Sequence, residues 1–325
     1  MKIEEVYGKD WVFIDVRSPK EFAEDHIPVA VNIPLFSDDE RAIVGTLYKQ
    51  IGKDVALEKG FAIVEKKLPE MLGRYKLYTE KKICVYCWRG GMRSGSVVSW
   101  LQSLHFNVVQ LEKGYKDYRR YVRDRLEKIS IPSLIVLYGL TGSGKTEFLQ
   151  QLPNSVDLEG LAQHRGSIFG DVGLQPRTQK MFDSLLLQRL LSVQKEKVVF
   201  IEGESRKIGN IMIPLPLWGL MHKAIQVRVL SPPEERVERL YKEYCQNVNV
   251  PLLIQKIMYI QKHLGKKKAE ELIMMLKEGN VREGIRILLF DYYDKLYAHT
   301  VERKSYAFSV RNLEELKGKT REYFG

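Results

Sequence analysis

Apolar residues along this chain are grouped in two ways. Short continuous runs at 82–86, 133–138, 198–201 and 225–230 are bounded by polar or glycine-bearing segments, the pattern of strands buried on both faces of a sheet. Val156-Asp157-Leu158-Glu159 reads as a further strand. Between these runs the period lengthens: Val97, Val98, Trp100, Leu101 and Leu104 recur at helical spacing after Ser94, residues 147–152 predict a helix, and the charged stretch 118–128 predicts another. From about Pro251 onward the pattern is helical. Strands alternating with helices predict an α/β chain built on parallel sheet. Ile131-Pro132 separates a first domain at 1–130 from a second at 131–325, with a basic helical region from about 250, and the short linker predicts close coupling of the two.

Two strand ends carry chemistry. The 82–86 run leads into Cys87-Trp88-Arg89-Gly90-Gly91-Met92-Arg93-Ser94 and then into the predicted helix. On such a strand-to-helix turn successive backbone N–H groups converge, and Gly90-Gly91 permits the backbone angles of an anion nest. Arg89, Arg93 and the helix N-terminus add positive potential, which favours thiolate at Cys87 and holds an oxyanion beside it. Cys84, mid-strand, reads as core, and Cys84-x-x-Cys87 lacks the second pair of ligands that a zinc site needs.

The 133–138 run enters Gly139-Leu140-Thr141-Gly142-Ser143-Gly144-Lys145-Thr146, a P-loop in its required setting between strand and helix. Backbone amides of 142–146 would surround a phosphate, Lys145 would neutralise it and the Thr146 hydroxyl would ligate Mg²⁺. The 198–201 run ends in Glu202-Gly203-Glu204-Ser205, where nucleotide hydrolases place an acidic metal partner, here glutamate in place of the usual aspartate.

Composition narrows the setting. Lysine and arginine number 52 against 41 acids, giving +11 and a pI near 9.3, so a polyanionic partner fits. Lys262, Lys266, Lys267, Lys268, Arg282 and Arg286, interspersed with Tyr259, Tyr292, Tyr293 and Tyr297, suit either phosphate contacts with base stacking or a solvated helical bundle. No apolar stretch is long enough to span a membrane, and three cysteines with no signal-peptide pattern predict a cytoplasmic protein.

Phe13-Ile14-Asp15-Val16-Arg17-Ser18-Pro19-Lys20-Glu21-Phe22 and His26 through Pro34 resemble the opening signature of rhodanese-like domains, and Leu111 through Tyr118 resembles their closing segment. In that family the counterparts of Asp15 and Arg17 are scaffold. Five residues separate Cys87 from Arg93, where many sulfur-transferring members have four; five is the loop length of cysteine phosphatases of the same fold, and it suits a tetrahedral anion such as phosphate or selenophosphate. With the P-loop, the segment Asp157 through Gly170 containing His164 and Arg165, and the segment Glu202 through Gly209, the whole chain resembles the tRNA 2-selenouridine synthase family.

That resemblance implies a rhodanese-like domain followed by a P-loop parallel-sheet domain. It implies replacement of sulfur by selenium in wobble 2-thiouridine of a tRNA anticodon stem-loop. Selenophosphate and geranyl diphosphate would be co-substrates, an S-geranylated nucleoside the intermediate, and no firmly bound cofactor is implied beyond Mg²⁺ at Thr146. Cys87 would be nucleophile or selenium carrier, with Trp88, Arg89, Gly90, Gly91, Met92 and Arg93 forming the anion cradle. Gly139, Gly142, Ser143, Gly144, Lys145 and Thr146 would hold a diphosphate or selenophosphate. Asp157, His164, Arg165, Glu202 and Glu204 would form a second set near the phosphates, with His164 and Arg165 either phosphate ligands or capped loop residues. Two other functions share these motifs: a rhodanese-fold cysteine phosphatase and a tRNA-binding P-loop ATPase.

Overall fold

A computed structural model describes the chain except Glu204, residues 246–248, Arg303 and Gly325, and the side chains of Cys245, residues 298–300 and Glu302. The chain forms two compact units, Met1–Leu126 with Asp183–Gln188, and Glu127–Phe182 with Arg189–Gly325.

The first unit is built on four parallel strands, β1 (Val12–Asp15), β2 (Val31–Asn32), β3 (Ile83–Tyr86) and β4 (Val108–Gln110), in the order β2-β1-β3-β4. All four residues of β3 are buried, as expected of an apolar run inside a sheet covered on both faces. Ile14, Val85, Val97 and Leu101 belong to the core that binds sheet to helices. The helix after Cys87 spans Met92–Ser103, so it begins two residues before Ser94: the apolar period first shows at Val97, but Gly91 caps the helix and Met92 and Arg93 are already in its first turn. Similarly, the charged helix runs Gly114–Glu127, starting where Gly114 takes φ +56°. Asp15 and Arg17 form a fully buried pair, Nη2 to Oδ2 at 2.6 Å, that also grips the Asp25 carbonyl at 2.7 Å. Burial works against the Arg17 charge, and the Asp15 hydrogen bonds more than offset it, so its pKa is raised. Asp25, also buried, accepts from Tyr115 Oη at 2.8 Å and from Ser184 Oγ at 2.9 Å, which ties the Asp183–Gln188 segment into this unit.

The second unit has five parallel strands, β5 (Leu134–Tyr138), β6 (Ser155–Val156), β7 (Val199–Glu202), β10 (Ile225–Val229) and β11 (Phe308–Val310), in the order β11-β10-β5-β7-β6. A separate antiparallel pair joins β8 (Lys207–Ile208) and β9 (Ile211–Met212). Strand β5, wholly buried, is central, so the loop that follows it emerges from the middle of the sheet.

Three expectations are corrected here. The strand expected at 156–159 stops at Val156, because Asp157 accepts the Gly160 N–H at 2.8 Å and starts the Leu158–Ala162 helix. Glu202 lies within β7 rather than beyond it. The C-terminal region is not wholly helical: after helices Val250–Leu264, Lys266–Lys277 and Val281–Ile287 and a π-helical stretch at Leu288–Tyr293, β11 returns to the edge of the main sheet. With three residues its periodicity is too short to read.

Candidate functional site

Cys87 ends the central part of the four-stranded sheet and sits at the floor of its loop, 3% exposed, with one flank in the hydrophobic core. Its sulfur accepts from Ser94 Oγ at 3.2 Å. Above it Arg89, Gly91 and Met92 are exposed. The sulfur is therefore recessed beneath an open rim rather than displayed on the surface.

The loop's peptide planes are fixed from outside. Tyr115 N–H donates to the Cys87 carbonyl at 2.9 Å and Lys116 N–H to the Trp88 carbonyl at 3.0 Å, both from the start of the Gly114–Glu127 helix. Gln110 Nε2 donates to the carbonyls of Gly90 at 2.8 Å and Gly91 at 3.1 Å. In a trans peptide the N–H points opposite to the C=O, so the amides of Trp88, Arg89, Gly91 and Met92 are turned away from these donors. The amides of 88–91 donate to no acceptor among the described residues. Gly90 holds φ +61°, and a methyl group there would come 2.6 Å from the Leu111 carbonyl oxygen. The Trp88 ring packs at 5.1 Å on Tyr115.

The two arginines differ. Arg93 Nη1 donates to Glu21 Oε2 at 3.0 Å; burial pushes the Glu21 carboxyl up, but Arg93 more than offsets this and holds it below the usual range. Arg89 is exposed and forms no ion pair among the described residues. Cys84, fully buried in β3, has its thiol pushed up to about 12 by burial. Ser94 closes the quoted cysteine-loop run, but nothing in the sequence marks its contact with the sulfur, and Gln110, at the end of β4, has no motif that marks its contacts with the loop.

The phosphate loop, residues 139–146, follows β5 with Gly142 at φ +75° and Gly144 at φ +94°. A methyl on Gly139 would lie 2.7 Å from the Val229 carbonyl oxygen, so the loop passes too close to β10 for any side chain. Lys145 Nζ donates to the Gly139 carbonyl at 3.1 Å. Ser143 is buried, and its hydroxyl has no hydrogen-bond partner among the described residues. Thr146 follows Lys145 in the first turn of the Lys145–Gln150 helix.

Two arginines of the Pro233–Cys245 helix buttress this loop, and the sequence reading missed both. Arg236 Nε donates to the Thr141 carbonyl at 2.9 Å while its other nitrogens grip Asp294 at 2.9 and 2.6 Å. Arg239 Nη1 donates to the Gly142 carbonyl at 2.6 Å and Nε to Glu147 Oε2 at 2.8 Å. The Arg236 contact leaves the Gly142 amide turned away from it and without an acceptor among the described residues, whereas the Ser143 amide, opposite the carbonyl that Arg239 grips, donates to the Leu140 carbonyl at 3.0 Å.

Of the second set, Glu202 lies on β7 beside Leu137, two residues before the loop. Asp157 caps a helix, with its carboxyl pKa raised by burial. His164 is packed between Gly170 and Gly209, where added methyl groups would lie 2.7 and 2.6 Å from its ring; burial lowers its pKa, and Nδ1 accepts the Gly166 N–H at 3.1 Å. Arg165 is engaged by Glu243, by the Val172 carbonyl at 2.8 Å and by the Tyr244 ring at 4.8 Å. No hydrogen bond joins Asp157, His164 or Arg165 to residues 139–146 among the described residues. Glu202, fully buried, accepts the Glu159 N–H at 2.6 Å, and Glu204 lies outside the described residues. No cluster of three or more histidine, cysteine or acidic side chains suited to a metal occurs among the described residues. Of the aromatic residues in the basic region, Tyr293 is buried and stacked on Tyr297 at 6.1 Å, whereas Tyr259 is 75% exposed.

A cysteine loop at the end of a parallel-sheet strand, followed by a P-loop on a second parallel sheet, defines a rhodanese-like domain joined to a P-loop domain. The profile of the rhodanese-like domain matches residues 3–121, and that of the tRNA 2-selenouridine synthase AAA domain matches residues 132–317. Proteins described as tRNA 2-selenouridine synthase from Photobacterium profundum, Hydrogenovibrio crunogenus and Shewanella woodyi are 31%, 34% and 35% identical. The alignments cover 96%, 93% and 90% of this chain and 95%, 92% and 88% of those proteins. The chain belongs to the tRNA 2-selenouridine synthase family.

Proposed function

We propose that this protein replaces sulfur by selenium in wobble 2-thiouridine of tRNA, acting in the cytoplasm on the anticodon stem-loop with geranyl diphosphate and selenophosphate as co-substrates. In the first step the thiocarbonyl sulfur attacks the geranyl carbon, a C–S bond forms, a C–O bond breaks and diphosphate leaves. Alkylation makes C2 electrophilic and turns its sulfur into a competent leaving group. In the second step selenium bonds to C2, geranylthiol departs, and the P–Se bond is cleaved by water to give phosphate.

The phosphate loop is assigned the diphosphate of the prenyl donor. Its Gly142 amide and Lys145 would stabilise the charge that develops as diphosphate leaves. Mg²⁺, held by Thr146 and phosphate oxygens, would supply further neutralisation there. The thiol loop is assigned selenophosphate, cradled by the free amides of 88–91, the N-terminus of the Met92–Ser103 helix and Arg89, with Arg93 positioned through Glu21. Cys87 is assigned the essential nucleophile of the substitution: its thiolate bonds to C2 as geranylthiol departs, and is itself released when selenium bonds to C2.

The observation that carries this reading is a buried Cys87 in a loop whose amides at 88–91 find no acceptor, and whose exposed Arg89 forms no ion pair, among the described residues. That arrangement suits a small oxyanion better than an inert core thiol. The test is incubation of the full chain with 2-thiouridine tRNA and both co-substrates, each omitted in turn, followed by nucleoside mass spectrometry. Cys87→Ser is expected to accumulate the S-geranylated nucleoside without selenouridine, and Lys145→Ala to lose geranylation while still binding tRNA. Normal selenouridine formation by Cys87→Ser would remove the assigned role. Phosphatase activity toward simple phosphomonoesters, or ATP hydrolysis with no nucleoside product, would favour the competing readings.

A further inference from the structure

The second unit contains a small apolar cavity of about 60 Å³. Its walls are leucine, isoleucine, valine and aromatic side chains from the helices between Pro233 and Tyr293, with Thr141 and Ser167 among the few polar contributors. Protein interiors are close-packed, and an apolar space is better suited to hydrocarbon than to water.

Its position gives the hydrocarbon a head group. Thr141 belongs to the phosphate loop and also lines the cavity. Leu240 lines the cavity too, and the loop's Gly142 runs so close to it that a methyl there would lie 3.1 Å from Leu240 Cγ. The Pro233–Cys245 helix thus presents Arg236 and Arg239 to the loop carbonyls and Leu240 to the cavity. One wall also carries no side chain at Gly284, whose missing Cβ would stand 3.7 Å from Leu272 Cδ2.

We propose that this cavity holds the hydrocarbon chain of an isoprenoid diphosphate whose diphosphate occupies the phosphate loop. The proposal rests on the reading that the loop holds the prenyl donor, and adds where the chain lies and what sets its length. An almost wholly apolar lining fits a hydrocarbon chain, and Gly284 adds no side chain to fill it.

The test measures equilibrium binding of pyrophosphate, dimethylallyl diphosphate and geranyl diphosphate to the full chain. In the unsubstituted protein geranyl diphosphate is expected to bind at least about tenfold more tightly than dimethylallyl diphosphate, from the extra buried carbons. Gly284→Leu suits the ordinary helical backbone of Val281–Ile287 and fills the space. It is expected to weaken geranyl diphosphate at least about tenfold while leaving pyrophosphate within about twofold. Gly284→Ala should give a smaller loss, and with the chain-length series it decides the matter should the leucine variant fail to fold. Equal affinity for the two chain lengths, or unchanged geranyl diphosphate binding in a folded Gly284→Leu protein, overturns the cavity assignment; if Lys145→Ala still weakens pyrophosphate, the phosphate-loop reading survives that failure. Unchanged binding of all three ligands by Lys145→Ala overturns both.

Discussion

Cys84 and Cys87 stand three positions apart and have opposite surroundings. Cys84 is enclosed in the sheet with a thiol pushed up to about 12, so it stays protonated and unreactive at neutral pH. Cys84→Ser is expected to lower stability by about 1–3 kcal/mol, by burying a hydroxyl in apolar surroundings, while leaving selenouridine formation intact. Cys87→Ser should do the reverse, and melting curves with nucleoside analysis separate the two. The paired glycines divide in the same way. Gly90→Ala meets both a positive φ and the Leu111 carbonyl, and a loss of roughly 2–3 kcal/mol is expected in denaturant titration. Gly91 has φ −98° and open space around its missing Cβ, so Gly91→Ala should cost under about 1 kcal/mol.

Between elements, two ion pairs help to hold the loops in place. The Pro19–Glu24 helix presents Glu21 to Arg93 in the Met92–Ser103 helix. Because the folded pKa of Glu21 lies below its ordinary 4.5, its contribution to stability is fully present above that pH and fades as pH falls through the depressed value. Glu21→Gln is therefore expected to lower stability at neutral pH and to flatten its decline on acidification, as melting temperatures across that window would show. In the second unit Arg236 joins the phosphate loop to Asp294. Arg236→Met leaves the Asp294 carboxylate and the Thr141 carbonyl unpaired, which should cost about 3 kcal/mol and weaken pyrophosphate binding. Asp294→Asn in the same background is expected to recover part of the stability, because the lost charge pair rather than a bare contact is the cause.

At the scale of the whole molecule, a net charge of +11 favours a polyanion. If tRNA phosphates are bound by lysine and arginine, affinity should fall steeply with salt, at least about tenfold between roughly 50 and 200 mM, and a flat dependence in a filter-binding titration would argue against charge as the source of affinity. No helix among the described residues is long and apolar enough to cross a membrane. The segment Asp183–Gln188 belongs with the first unit although the chain before and after it belongs with the second. Its place is set by Ser184 meeting Asp25 and by Asp183 meeting Arg119, contacts between residues far apart in sequence.

The α/β class and the two loops were legible because they are local: a buried strand needs a continuous apolar run, and a turn that nests an anion needs glycine within a few residues. Cys87 and the residues 139–146 carry that signal in their immediate neighbours. The depth of the Cys87 sulfur, the diversion of Arg93 to Glu21 and the bracing by Arg236 and Arg239 were not legible. The same is true of β11 and of the cavity beside Leu240. Each depends on which distant side chains the fold brings within a few ångströms, and a one-dimensional pattern records side-chain type and spacing but not three-dimensional neighbours. Tertiary packing therefore decided which of the many arginines are available to ligands and which already serve the scaffold.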